Sequence, residues 1–139
     1  MSKFRLQLDD AYEFLVFGIS CHLKDYRVAW HLNRDLQMTF VRKTISLPIT
    51  KGEFEDFPFF DAHDDAARLR FLLLSNKNEE SLLMRSYKQY DFFLLVEGYI
   101  DLFDADEFID TLHRIEHFQL VSPLDPEKFE KIQYVLFEE

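Results

Sequence analysis

The chain has one cysteine, three glycines, four prolines and one tryptophan. With Cys21 alone, no disulfide can close within the chain, and zinc-ribbon and CxxC redox chemistry are excluded. Three glycines (Gly18, Gly52 and Gly98) cannot assemble a Gly-rich phosphate loop. No Walker A motif, dinucleotide fingerprint or HExxH occurs. Scarce Gly and Pro also predict few, short loops. Apolar runs are short. The longest, residues 14–19, has six residues with Gly18 inside it, whereas a spanning helix needs about twenty. Residues 1–7 show no apolar h-region, so no signal peptide is expected. The chain reads as soluble and cytoplasmic.

Positive charge is also short. There are 16 Lys/Arg against 26 Asp/Glu, a net charge of −10. The imbalance is lopsided: residues 1–70 carry a net −1 and residues 71–139 a net −9. Such a surface repels phosphate backbones, which excludes nucleic-acid binding. It excludes adhesion to an anionic membrane for the same reason. A basic protein surface remains a fitting partner.

Aromatic mass is abundant, with 16 Phe and six Tyr beside Trp30. At 139 residues and 47% hydrophobic content, the chain can bury a core as one domain, 1–139. Phe4, Leu6 and Leu8 alternate with polar residues, which predicts a strand. Residues 14–19 predict a buried extended segment, with a helix capped by Asp10 and Glu13 as the competing reading. Residues 23–37 predict a helix whose stripe is Leu23, Tyr26, Trp30, Asn33 and Gln37, with Ala29, Leu32 and Leu36 beside it. Strands are expected at 39–42, 45–49, 54–60, 68–74, 82–87, 91–96, 118–121 and 132–137. The 91–96 segment is apolar on both faces and so central. Pro58 places 54–60 on an edge. Asp104 and Glu107 form a capping box that opens a helix over about 105–116. Asp125-Pro126 opens a short helix to about 131. The pattern is α+β: a largely antiparallel sheet with two main helices and one short one.

Four constellations bear on chemistry. His113-Arg114-Ile115-Glu116-His117 fits H-x-x-E-H, in which two His share a helix face, grip one metal, and the Glu activates its water. Its place at a helix end favours plain dipole interactions, so His113, Glu116 and His117 stand as a metal candidate without a third downstream ligand. The acidic stretch of Glu97, Asp101, Asp104, Asp106, Glu107 and Asp110 lacks the EF-hand glycine, because Ile109 holds that place. It reads as a solvated face. Cys21 and His22 are neighbours in an extended segment and would point apart. Phe54, Phe57, Phe59 and Phe60 bracket Pro58 and form a candidate interface patch.

Three segments resemble the bacterial IPExxxVDY family. They are residues 18–27 (Gly18-Ile19-Ser20-Cys21-His22-Leu23-Lys24-Asp25-Tyr26-Arg27) with Trp30 and Asn33, then Leu73-Leu74-Ser75-Asn76-Lys77, then residues 84–94. In the last, Asp91 matches the family's name, Phe92 stands for Tyr, Tyr90 for Val and Met84 for Ile. Arg85 and Ser86 replace Pro and Glu. The resemblance spans roughly residues 3–137. It implies a small cytoplasmic bacterial protein and brings no activity, cofactor or catalytic residue.

The sequence thus predicts a non-catalytic protein-interaction domain, adaptor or homodimer, with no cofactor. The alternative is a small-ligand-binding protein or enzyme with Tyr26, Asn33, Asn76 and Asp91 as pocket candidates. A zinc hydrolase at His113, Glu116 and His117 is the third reading.

Overall fold

The computed structural model describes residues 14–50, 52–77 and 84–129, with the side chains of 47–50 and 85 left aside. Six strands form one sheet: β1 (Phe14–Ser20), β2 (Val41–Thr50), β3 (Glu53–Asp64), β4 (Leu69–Ser75), β5 (Phe92–Gly98) and β6 (Leu120–Leu124). Their order is β2-β3-β4-β5-β1-β6, and every neighbouring pair is antiparallel. Two helices complete the α+β fold, α1 (Asp25–Leu36) and α2 (Ala105–His113). Helix α1 joins β1 to β2, at the far side of the sheet. Helix α2 lies between β5 and β6, which flank β1. No helix among the described residues is long and apolar enough to cross a membrane.

Period-two alternation gives the sheet two apolar faces. On one, Ile19, Phe71, Leu73, Phe92, Leu94 and Val96 pack beneath Val28, Ala29 and Leu32 of α1 and Leu112 of α2. On the other, Val16, Leu72, Leu74, Phe93 and Leu95 meet Phe129, from a 3₁₀ turn at Pro126–Phe129. β5 lies between β4 and β1, and residues 92–96 are all buried. This central placement is what an unbroken apolar run predicts. Each such Leu or Phe contributes about 1.5–3 kcal/mol on burial. β2 is the outer strand beside β3, and Val41 to Thr44 are exposed. Arg42 and Lys43 charge that strand, a device that blunts outer strands against pairing.

Several expectations change. Residues 39–42 and 45–49 belong to one strand, β2, with an irregularity at Pro48/Thr50. β3 runs on to Asp64 and is not an outer strand, since β4 pairs with Phe59 to Asp64. Before Phe59 it pairs with β2 alone, so Pro58 sits where one neighbour has just ended. Residues 85–87 form a 3₁₀ turn, not a strand. Asn76 explains it: its Oδ1 accepts from Met84 N–H at 2.7 Å, and its Nδ2 donates to the Tyr87 and Tyr90 carbonyls. Captured by one side chain, that backbone curls. Helix α2 stops at His113, not 116, because Arg114 N–H turns back to Thr111 and Ile115 N–H to Leu112. His117 is left-handed at φ 76°. The expected 126–131 helix is the Pro126–Phe129 turn, whose continuation lies outside the described residues. So do the strands expected at 4–8 and 132–137.

The aromatic stripe of α1 faces outward. Tyr26 and Trp30 are 59% and 55% exposed, while Val28, Ala29 and Leu32 are buried. The branched aliphatic side chains at i and i+4 take the sheet. Trp30 instead lies under the Arg34 guanidinium, 4.8 Å from the ring centroid.

Candidate functional site

The two ends of the sheet carry different concavities. At one end β1 and β4 finish, β5 begins and α1 starts. A polar cleft of about 970 Å³ opens there, lined among others by Cys21, Lys24, Phe57, Asn76, Lys77 and Asp91. Asn76 and Asp91, its two buried or part-buried polar candidates, are committed to the fold. Asp91 accepts Cys21 N–H at 2.8 Å and pairs with Lys77 at 2.8 Å. Asn76 is 1% exposed and holds the 84–90 turn. Burial pushes the Cys21 thiol up, so it stays protonated and a poor nucleophile.

The structure therefore brings Asn76 and Asp91 to one cleft and leaves Tyr26 and Asn33 out of it. Tyr26 is exposed on α1. Asn33 Oδ1 accepts Phe40 N–H at 2.7 Å and so closes the turn after α1.

At the other end, where β4 begins and β5 finishes, lies an apolar groove of about 670 Å³. Its floor is Phe71, Phe103 and Phe108, with ring centroids 5.0–6.4 Å apart. Leu36 and Met38 from the end of α1 form one wall, and the β3–β4 turn and the start of α2 form the others. Gly98 shapes this end. At φ +123° its backbone runs against β4, and a Cβ there would collide with the Arg68 carbonyl oxygen. Tyr99 N–H donates to the same carbonyl. The chain then enters a 3₁₀ turn, Ile100–Leu102. That turn holds Leu102 96% exposed and Tyr99 67% exposed at the groove's mouth. Among the described residues, Asp64, Asp104 and Glu107 stand around it against one cation, Arg68. The Arg68 guanidinium is already over the Tyr99 ring at 5.4 Å.

The four phenylalanines near Pro58 do not form one exposed patch. Phe59 and Phe60 are each 6% exposed and enter opposite cores, Phe57 is half-buried in the polar cleft, and Phe54 is exposed. Successive residues of a strand face opposite ways, which divides any run of aromatics.

Of the H-x-x-E-H residues, Glu116 and His117 meet at 3.6 Å, while His113 is engaged elsewhere. His113 ends α2, and its Nε2 accepts Val121 N–H at 3.1 Å. His117 lies beyond the helix and meets the ring of His31 at 5.9 Å. Among the described residues no group of three His, Cys, Asp or Glu is placed to hold a metal. His31 is itself unusual. It is 3% exposed, and among the described residues neither ring nitrogen has a hydrogen-bond partner. Burial, then the charges of Arg34 and His117, hold its pKa below the ordinary imidazole value.

A charged network crosses the sheet face opposite the helices. Asp61, 3% exposed, accepts from Lys43 at 2.6 Å and Arg70 at 3.0 Å, with His63 at 3.6 Å. Burial alone would raise its pKa, but the hydrogen bonds from Arg70 and Lys43 carry it below the usual carboxylate value. Nearby Glu97 is pushed up by burial, partly offset by Arg70 and His63.

Neither the metal candidates nor the aromatic patch marked the groove. Its signal was Tyr99, Leu102 and Phe103 set among carboxylates, a pattern with no helical or strand period. No family model matches the chain, and no curated protein matches it.

Proposed function

We propose that this chain is a non-catalytic protein-interaction domain that docks a partner at the groove between α1 and α2. The observation that carries the reading is Leu102, 96% exposed beside a 67% exposed Tyr99 over an aromatic floor. Exposed apolar surface around a concavity costs solubility and is a mark of docking sites. The polar cleft argues less for a ligand, because Asn76 and Asp91 spend their hydrogen bonds on the fold. The kinship with IPExxxVDY proteins belongs to the same proposal and would place the chain in a bacterial cytoplasm.

A tagged pull-down from the native cell, run beside Leu102→Asp, tests it. One partner recovered near stoichiometry with the wild type and lost with the variant supports the reading. A partner retained by the variant moves the docking surface elsewhere. Leu102 is exposed enough that the variant should keep the wild-type urea midpoint, which serves as the folding control.

A further inference from the structure

We propose that the groove's occupant is a basic amphipathic helix of a partner protein, an assignment that rests on the docking reading above. Charge selects the class. Among the described residues, Asp64, Asp104 and Glu107 face the groove against Arg68 alone, and Arg68 is engaged by Tyr99. Asp64 and Asp104 each give one oxygen to a backbone N–H, of Ala67 and Glu107. Among the described residues Glu107 makes no ion pair. Asp101 and Asp106, both exposed, add to the same sign. Such a rim attracts Lys and Arg and repels acidic partners.

Charge also disfavours a second copy of this chain. Two molecules of net charge −10 docked through this mouth would bring like carboxylates together. The walls select the secondary structure. They are helix ends and a turn, not an outer strand. Strand addition therefore has no unpaired backbone to use, and a helix laying its apolar face into the groove is the mode that fits. A small apolar molecule on the floor would leave Leu102 in water. A helix long enough to reach Tyr99 and Leu102 covers them while its apolar residues approach Phe71, Phe103 and Phe108.

The test uses two labelled peptides of roughly 18 residues, about five helical turns. Both carry Leu at i, i+3, i+4 and i+7. One has Lys and the other Glu on the polar face. Fluorescence anisotropy with the full chain reads binding at low salt and at about 0.3 M, where screening shortens to several ångströms. The Leu/Lys peptide should bind and weaken about tenfold at the higher salt; the Leu/Glu peptide should not bind. Leu102→Asp separates docking from diffuse attraction. It adds a negative charge, so diffuse attraction holds or tightens, whereas docking weakens about tenfold or more. Glu107→Lys should weaken the Leu/Lys peptide and admit the Leu/Glu one.

Leu/Lys binding that is unchanged or tighter in Leu102→Asp overturns the proposal, as does equal binding of both peptides. A dimer in sedimentation that Leu102→Asp dissolves makes the occupant a second copy. If neither peptide binds but the cellular partner is still lost with Leu102→Asp, the basic helix is wrong and the docking reading survives. If the variant also keeps that partner, both fall.

Discussion

Gly18→Ala should destabilise the protein, against the usual benefit of removing a glycine. Gly18 sits in the middle of β1, paired with Phe93 and Ser122. In an unobstructed strand the change would gain about 0.4–1 kcal/mol by restricting the unfolded chain. Here the new Cβ would lie 2.7 Å from Cγ and Cδ1 of Tyr90 and 3.0 Å from Cδ1 of Leu124. Carbon atoms rest at about 3.5–4.0 Å, so the ring must retreat by about 1 Å. It has little room. Tyr90 is 6% exposed, its carbonyl is held by Asn76, and its N–H is held by Tyr87. Overpacking of this kind costs about 1–3 kcal/mol, which outweighs the entropic gain and leaves a net loss of about 1–2 kcal/mol. Urea denaturation should show the midpoint falling by about 0.5–1 M at constant slope. The cause is checked by a cycle with Tyr90→Ala, which removes both clashing ring atoms. On that background Gly18→Ala should lose most of its cost, so the coupling approaches the single-mutant penalty. Additivity within about 0.5 kcal/mol, or a Gly18→Ala protein more stable than wild type, would refute the steric argument.

Two further outcomes concern ionisation. Asp61→Asn leaves Lys43 and Arg70 without their carboxylate and should cost about 3 kcal/mol, the low end for a broken buried pair, since Lys43 is half-exposed. Because the Asp61 pKa is lowered in the fold, its contribution is present above the ordinary carboxylate value of 3.8 and is lost as pH falls below it. The variant's acid limb in a pH–stability scan should be flatter there; an unchanged limb would refute the role. The His31 pKa is also lowered, so the unfolded chain takes a proton first, and stability falls as pH drops below 6.5. His31→Leu should remove that fall and leave stability at pH 8 unchanged or higher, since an orphaned polar ring is exchanged for an apolar group. Retention of the fall between pH 7 and 5 would place its origin in another group.

What the sequence made legible follows from how local each cause is. β5 was readable because a run apolar on both faces has one placement, the centre of a sheet. The N-terminal cap of α2 was readable because Asp104 accepts Glu107 N–H three residues away. The inner face of α1 was not. Trp30 and Tyr26 outweigh Val28 and Ala29 in side-chain area, yet the sheet selected the smaller, closer-packing side. Residues 84–87 were misread as the end of a strand over 82–87 because Asn76, which organises the turn, lies outside that segment. Of the candidate site residues, Asn76 and Asp91 met at one cleft because they flank the meeting point of β4 and β5. Tyr26 and Asn33 turned away with the helix. The groove escaped notice because its walls come from four separate stretches, and each is ordinary alone.

The strand order has a consequence in time. β1 is held between β5 and β6, which are both made long after it. Ile19 pairs with Phe92, and at ribosomal speeds of about 5–20 residues per second the gap of roughly 70 residues lasts about 4–15 s. During that interval β2, β3 and β4 can zip up as consecutive antiparallel neighbours. Phe14, Val16, Phe17 and Ile19 have no sheet to enter. The earliest described strand thus waits for a partner made long after it, and its apolar surface is what a nascent chain would offer to a chaperone. Non-local pairing of this kind slows folding, and β6 can be seated only once β1 is in place.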